Sequence, residues 1–243
     1  MEWFEQWFNS EEYLKVYRHR DEKEANDLVS LILKNIELSQ VKNVLDIAAG
    51  SGRHALLFAK KGFNVTAVDL SANLLSVARK KALKDNLNIE FVHSDIRHFN
   101  SQQNYDLILN LFTSFGYFEN DEDNYSILIK AYGLLRKNGY FIFDYFNKNY
   151  IEKNLVNNTM DELDGKIIKQ KRFIKGERVL KEITIDNNGK INKYIESVRM
   201  FSYDEITTTL KKIGFHIVKI FGEIDGNSFE LKSSPRMIII ASK

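Results

Sequence analysis

Short apolar segments alternate with helix-like segments over residues 43–143, and this alternation constrains the fold more than any other feature of the sequence. Strands are expected at 43–47, 63–68, 89–93, 105–109 and 140–143. The segments between them have the length and apolar spacing of helices, and Ser71 is an expected N-cap. Strands joined by helices in this way form parallel sheets with helices on both faces. The sequence therefore predicts a doubly wound, mostly parallel, Rossmann-like α/β sheet.

A different pattern begins after residue 147. Residues 166–201 alternate in polarity and contain two turn sequences, Lys175-Gly176 and Asn187-Asn188-Gly189, which favour hairpins. The pattern predicts a three-stranded antiparallel meander. We expect residues 148–201 to form an antiparallel β insertion that serves as a substrate lid or as the surface of a homodimer.

The last residues are expected to complete the main sheet. A helix is predicted at 204–212, and two strands are predicted near 215–221 and 236–241. With these two strands the sheet has seven. The main domain is therefore expected to consist of residues 1–147 and 202–243.

Composition excludes several kinds of site. The chain has no cysteine, so it can hold neither a disulfide nor a thiolate metal site, and an iron–sulfur cluster is excluded as well. Charged residues make up 28% and the net charge is only +2, which does not indicate a nucleic-acid partner. We find no signal-peptide pattern and no membrane span. A cytoplasmic protein without a metal, nucleic-acid or membrane partner is expected.

A glycine-containing turn follows the first predicted strand. Residues 44–52 read Val-Leu-Asp-Ile-Ala-Ala-Gly-Ser-Gly, and Asp69 ends the next strand. Glycines let the backbone approach a ligand, the following helix offers free N–H groups, and a carboxylate at the Asp69 position can bind ribose hydroxyls. The same residues also fit a nicotinamide dinucleotide fingerprint, with Ala55 at its third glycine position. A purely structural turn is the third interpretation.

The order of the motifs resembles the class I S-adenosylmethionine (SAM)-dependent methyltransferases over nearly the whole chain. Residues 44–52 resemble the first motif of this family, Ser94-Asp95-Ile96 the third and residues 105–110 the fourth. The resemblance implies SAM as cofactor and S-adenosylhomocysteine as product. It also implies contacts with the methionine part for Ala48, Gly50 and Gly52, with the ribose for Asp69, and with the adenine for Leu70, Asp95 and Ile96.

One residue departs from the family pattern. Ala48 stands where the first glycine of the acidic-x-Gly-x-Gly-x-Gly motif is usual. Alanine adds only a methyl group, but it disfavours a positive φ. We therefore expect the geometry of the turn, rather than the fold, to be affected.

The resemblance places the reacting centre beside the loop after the fourth strand, where Asn110 and Phe112 would border the transferable methyl group. Tyr117 in this loop could orient a substrate by its hydroxyl. Asp144, at the end of the fifth strand, is expected to face the same cleft and could act as general base for a hydroxyl acceptor, with His54 as the alternative. The other interpretation of each residue is structural, as loop packing, a turn cap or a surface histidine.

Residues 9–38 are predicted to be helical, with Asp21 as N-cap of the main segment. Tyr13 and Tyr17 share a helix face. Similar N-terminal elements close over SAM in related small-molecule methyltransferases, and Arg20 could pair with the methionine carboxylate. A surface helix with a solvated Arg20 is the competing interpretation.

Several acceptors can be argued against. Methylation at cytosine C5 usually needs a cysteine, and residues 110–113 read Asn-Leu-Phe-Thr rather than the Asn/Asp-Pro-Pro-aromatic motif of exocyclic amine methylation. The sequence therefore predicts methyl transfer to N or O of a small molecule. A nicotinamide-dependent oxidoreductase and a non-enzymatic SAM-binding protein are the alternatives.

Overall fold

A computed structural model describes residues 2–17 and 22–243 of the chain. Its helices are α1 (Trp3–Phe8), α2 (Glu11–Val16), α3 (Glu22–Lys34), α4 (Arg53–Lys60), α5 (Ala72–Lys84), α6 (Asp121–Leu134), α7 (Lys148–Asn154) and α8 (Tyr203–Ile213). Its strands are β1 (Asn43–Ile47), β2 (Asn64–Asp69), β3 (Ile89–His93), β4 (Tyr105–Asn110), β5 (Leu135–Phe146), β6 (Asn158–Leu163), β7 (Lys166–Lys175), β8 (Arg178–Asn187), β9 (Lys190–Arg199), β10 (His216–Phe221) and β11 (Arg236–Ser242).

The main sheet has seven strands in the order β10-β11-β5-β4-β1-β2-β3. Strands β1 to β5 are parallel to one another, whereas β11 is antiparallel to both β5 and β10. The predicted fold class, a mostly parallel seven-stranded Rossmann-like sheet with an antiparallel insertion, is confirmed. Ligands of such sheets bind beyond the carboxyl ends of the parallel strands.

Helices cover both faces of the main sheet. Apolar residues of α3 and α4 pack on one face, and those of α6, α8 and the N-terminal α1 pack on the other. All six residues of β4 are buried because this strand lies in the middle of the sheet. The local signals at helix ends act as predicted: the Ser71 hydroxyl accepts a hydrogen bond from the Leu74 N–H, and Gly214 ends α8 at φ +118°.

The inserted sheet has four strands in the order β6-β7-β8-β9, one more than the predicted meander. The additional strand, β6, has the sequence Asn-Thr-Met-Asp-Glu-Leu and is largely exposed, so it lacks the apolar alternation that marks a half-buried strand. The two predicted hairpin turns are present, with Gly176 at φ +58° and Gly189 at φ +89°. The division of the chain into a main domain and an insertion, and the use of the insertion as a lid or homodimer surface, stay predictions.

The N-terminal region is broken into shorter helices than the sequence predicted. The range predicted to be helical, 9–38, contains α2 and α3, and α1 precedes it. The Ser10 hydroxyl caps α2 by accepting a hydrogen bond from the Tyr13 N–H. The ring of Trp7 packs in a cluster with Ile168 and Ile183 of the inserted sheet, so α1 joins the two sheets. The predicted cap Asp21 lies outside the described residues. Within the described ranges, no helix has the length and apolarity needed to cross a membrane.

Candidate active site

The turn after β1 has three residues in left-handed backbone conformation. These are Ala48 at φ +57°, Gly50 at φ +56° and Gly52 at φ +77°. A Cβ added to Gly52, the N-cap of α4, would lie 2.9 Å from the Cβ of Ala78, so only glycine fits there. Ala48 thus adopts the conformation that favours glycine, at a cost of about 1–2 kcal/mol. The departure of Ala48 from the family pattern is absorbed as strain, and the turn still forms.

Asp69 is bonded to this turn. One carboxylate oxygen accepts a hydrogen bond from the Gly50 N–H at 2.7 Å, and the other accepts one from the Ser71 N–H at 2.7 Å. Burial raises the pKa of Asp69 even though these two backbone groups favour its ionised form. Each oxygen keeps lone pairs for further donors, such as ribose hydroxyls.

A small cavity of about 100 Å³ lies beyond the carboxyl ends of β1 and β2. It brings together six of the predicted cofactor-binding residues, namely Ala48, Gly50, Asp69, Leu70, Asp95 and Ile96. The carboxylate of Asp95 also forms an ion pair with Arg97, whose Nη2 lies 2.6 Å away. Aromatic side chains that the sequence did not single out, Phe4 and Phe8 of α1, line the opposite wall.

A second cavity of about 650 Å³ adjoins the first at the glycine turn. Both cavities are lined by Ala48, Gly50 and Tyr117, so Tyr117 lies where they meet. The larger cavity is also lined by Tyr17 and Phe112, two of the predicted cofactor-binding residues. Its lining further includes Tyr13, Ser114, Asp46, Arg53 and His54.

Asp46 is a residue whose importance the sequence analysis missed, although it lies in the first motif. Its side chain is 2% exposed, and within the described residues its Oδ2 has no hydrogen-bond partner. Burial, followed by repulsion from the Asp69 carboxylate, raises the pKa of Asp46 to about 7. A buried carboxyl oxygen with unused hydrogen-bonding capacity beside a cavity suits a cationic or N–H group of a ligand.

His54 is buried rather than on the helix surface. Its side chain is 6% exposed, and burial together with the Arg53 and Arg236 guanidinium groups lowers the pKa of His54 to about 3. An imidazole with this pKa is neutral at pH 7 and is a weak base. The geometry therefore favours His54 as a wall of the cavity over His54 as a general base.

Asp144 holds the loop after β4. Its Oδ2 accepts a hydrogen bond from the Phe112 N–H at 2.8 Å, and its backbone carbonyl accepts one from the Thr113 N–H at 3.0 Å. Phe112 and Thr113 both have φ +59°, which is strained for residues other than glycine. The Asp144 carboxylate forms a bidentate ion pair with Arg236, with one oxygen 3.0 Å from Nε.

The ring of Phe112 lies between two cations. The guanidinium carbons of Arg53 and Arg236 are 4.0 and 4.4 Å from its centroid, within the range of cation–π attraction. These contacts and the Asp144 hydrogen bond keep the strained loop in one conformation, so Phe112 presents a fixed surface to the larger cavity.

Three of the predicted site residues that the structure describes line neither cavity. Gly52 lies behind the turn, Asn110 is fully buried with its amide donating to the Ser114 carbonyl at 3.1 Å, and Asp144 is fully buried, so none of the three lines either cavity. Their direct roles in binding or catalysis stay predictions. Arg20 lies outside the described residues.

Tyr17 connects the N-terminal helices to the inserted sheet. Its hydroxyl bonds to the Glu196 carboxylate and receives a hydrogen bond from the Lys181 Nζ at 2.6 Å. The Trp7 Nε1–H donates to the same Glu196 carboxylate at 2.6 Å. Glu196 and Lys181 were missed by the sequence analysis because nothing in the local sequence pairs them with residues near the N-terminus.

Comparisons with known proteins match the part of the chain that contains the glycine turn and Asp69. Residues 44–139 match the family model described as a methyltransferase domain. A protein of Geobacillus sp. (strain WCH70) whose name describes it as a methyltransferase is 26% identical over 219 residues, which cover 87% of this chain and 88% of that protein.

Solved structures share the fold over nearly the full length. A SAM-dependent methyltransferase from Clostridium acetobutylicum ATCC 824 superposes with a TM-score of 0.81 at 22% identity, covering 95% of both chains. A sugar N-methyltransferase from Streptoalloteichus sp. ATCC 53650 gives a TM-score of 0.72 at 15% identity, covering 95% of this chain and 92% of that chain.

The family match covers the strand, the glycine turn and the two aspartates that a nicotinamide fingerprint could also have explained. It favours the methyltransferase interpretation over the oxidoreductase one. Residues 44–139 thus match a methyltransferase domain, and the chain shares the fold of a solved SAM-dependent methyltransferase.

Proposed function

We propose that the protein transfers the methyl group of SAM to a nitrogen or oxygen atom of a small molecule, with an amine as the favoured acceptor. The observation that carries this proposal is that two cavities meet at the glycine turn and that Tyr117 lines both. One cavity can hold a nucleoside while the other holds an acceptor beside it.

The residues around the smaller cavity fit the adenosine part of SAM. The carboxylates of Asp69 and Asp95 suit ribose hydroxyls and the adenine amino group, and the apolar Leu70 and Ile96 suit the faces of the base. The unused Oδ2 of Asp46 suits the ammonium group of the methionine part. SAM, when bound, supplies a methyl group that is activated by its attachment to a positively charged sulfur.

The acceptor side favours an amine for two reasons. A neutral amine attacks without giving up a proton first, so it needs no dedicated base; of the two bases expected from the sequence for a hydroxyl acceptor, His54 is a weak base and Asp144 lines neither cavity. The sugar N-methyltransferase described above shares the fold over 95% of this chain, a span that includes the insertion. The protein's task is then to align the acceptor and to exclude water.

We assign these tasks to three groups. Tyr117 orients the acceptor where the cavities meet, and Phe112 forms a fixed wall of the acceptor cavity. The aromatic rings of α1 cover the smaller cavity and keep water out of it. Asp144 acts through the position of Phe112 and Thr113.

Binding and turnover test the proposal separately. Dialysed protein is titrated calorimetrically with S-adenosylhomocysteine and with NADH, and only the former is expected to bind. The protein is then incubated with methyl-labelled SAM and a library of amines, carboxylates and phenols, and the products are identified by mass spectrometry. Binding of NADH alone would contradict the cofactor assignment. Binding of S-adenosylhomocysteine with no methylated product would favour the non-enzymatic alternative.

A further inference from the structure

Arg178, at the start of β8 in the inserted sheet, binds the backbone of the loop that carries Tyr117. Its guanidinium nitrogens lie 3.1 Å from the carbonyl oxygens of Gly116, Tyr117 and Phe118. The same guanidinium donates to the Oγ and to the carbonyl oxygen of Ser197 on β9, at 2.7 and 2.8 Å. One side chain of the insertion thus fixes three successive peptide groups of the loop to the inserted sheet.

The end of β9 contacts the same loop directly. The Arg199 N–H donates a hydrogen bond to the Gly116 carbonyl at 2.8 Å. Gly116 has φ +85°, and a Cβ added to it would lie 2.8 Å from the Arg199 carbonyl oxygen and 3.0 Å from the Tyr145 hydroxyl oxygen. Only glycine allows the loop and β9 to approach this closely. The loop is therefore built against the insertion at this point.

The ring of Tyr117 is held separately from its backbone. It packs against aromatic rings of α1, with centroid distances of 5.4 Å to Trp3 and 5.5 Å to Phe8. The α1 contacts constrain the ring, whereas Arg178 constrains the peptide groups on both sides of it. A planar guanidinium is well suited to this because its five donors have fixed directions.

We propose that Arg178 is a positioning residue that sets the place of Tyr117 between the two cavities, so that the inserted sheet helps to determine which acceptor is methylated. This inference rests on the proposed function and deepens it. The effect of Arg178 reaches the acceptor through Tyr117, since Arg178 itself lines neither cavity. The Asp69 and Asp95 carboxylates, which the proposed function assigns to the nucleoside, lie at the end of β2 and just after β3, and the Arg178 hydrogen bonds described above go to neither.

The test compares three variants of the full-length protein. Arg178→Met keeps the aliphatic part of the side chain but removes all hydrogen-bond donors. Arg178→Lys keeps the positive charge, but its single ammonium group cannot reach all three carbonyl oxygens. Arg172→Met is the matched control, because this guanidinium donates hydrogen bonds to residues of the insertion, such as Thr159 and Gln170.

Two readouts are expected to change in Arg178→Met. Hydrogen exchange followed by mass spectrometry should show faster exchange of the Phe118 and Arg199 amides, whose partners depend on the position of the loop. With the acceptor identified in the library screen, kcat/KM for the acceptor should fall about 10- to 100-fold, mainly through KM, because a small displacement of an orienting group is costly. Arg178→Lys should recover part of this loss.

The affinity for S-adenosylhomocysteine should change by less than about twofold in every variant. Unchanged exchange and unchanged acceptor KM in Arg178→Met, or an equal effect of Arg172→Met, would overturn the inference. Failure of the proposed function is distinguishable, because it would appear in the wild type as binding without methyl transfer, while the exchange data would still report whether Arg178 holds the loop.

Discussion

The Asp69 carboxylate accepts a hydrogen bond from the Gly50 N–H at 2.7 Å, so the end of β2 and the turn after β1 form one rigid unit. The bond crosses between two neighbouring parallel strands whose carboxyl ends lie at the same edge of the sheet. A change at Asp69 therefore alters both a ligand-binding carboxylate and the turn beside it.

We expect Asp69→Asn to weaken S-adenosylhomocysteine binding by about tenfold to a hundredfold, because a hydrogen bond to a charged group contributes about 1.5–3 kcal/mol. The asparagine amide nitrogen cannot accept the bonds that one of the carboxylate oxygens accepts. Isothermal titration calorimetry measures the effect. Asp27→Asn, on the exposed face of α3, is the control and should bind like the wild type. Equal affinity in both variants would contradict the assignment of Asp69.

The strain at Ala48 predicts a stabilising substitution. Ala48→Gly removes the strain of an alanine in the left-handed conformation, but glycine also makes the unfolded chain more flexible. The free energy of unfolding is therefore expected to rise by up to about 1 kcal/mol. Ala59→Gly, in the last turn of right-handed α4, should instead lower the free energy of unfolding by up to about 1 kcal/mol. Urea unfolding followed by circular dichroism compares the two. A loss of stability of the same size in both variants would show that Ala48 is not strained.

The raised pKa of Asp46 predicts how stability depends on pH. The folded-state pKa of about 7 lies above the reference value of 3.8, so the folded protein holds a proton in this window that the unfolded chain has released. The protonated Asp46 carboxyl therefore adds to the free energy of unfolding at low pH. This contribution falls as the pH rises towards 7 and is absent above that value.

Asp46→Asn should remove this part of the pH dependence. Between pH 5 and 7 the wild type should lose on the order of 2 kcal/mol more stability than the variant, because each pKa unit corresponds to about 1.4 kcal/mol. Urea unfolding at several pH values supplies the data, with Asp161→Asn on exposed β6 as control. Parallel curves for Asp46→Asn and the wild type would rule out a raised pKa at this carboxyl.

The ion pair between Asp144 and Arg236 predicts a coupled effect on stability. Arg236→Met leaves a fully buried carboxylate without its cation and should cost about 3–5 kcal/mol. Adding Asp144→Asn should restore part of this loss, since the uncompensated charge is then absent. A double-mutant cycle of unfolding free energies measures the coupling. If the losses of unfolding free energy in Arg236→Met and Asp144→Asn add up to the loss in the double variant, the two residues do not stabilise the loop as a pair.

Local sequence patterns were sufficient for the parallel core of the fold. The glycine turn, Asp69 at the end of β2 and the Ser71 cap each depend on neighbours within a few residues, and each is present as predicted. Strand β6 was missed because its exposed polar sequence carries no periodic signal. Helix α1 was missed because its six residues are too few to show a helical apolar repeat.

Contacts between residues far apart in the sequence could not be predicted in this way. Asp144 pairs with Arg236 across 92 positions, Arg178 reaches the Gly116 carbonyl across 62, and Trp7 donates to Glu196 across 189. No local spacing selects one arginine or glutamate over the others for these partners. The sequence therefore indicated residues that line the two cavities. The residues that hold the loop after β4 in place could be identified only from the tertiary structure.

The position of α1 has a consequence for the order of events in a catalytic cycle. Phe4 and Phe8 of this helix cover the smaller cavity, and Trp7 ties the helix to the insertion through Glu196. Under the proposed function, S-adenosylhomocysteine bound in this cavity can leave only after α1 moves away from it. We therefore expect the methylated product to leave first and release of the nucleoside to be the slower of the two steps.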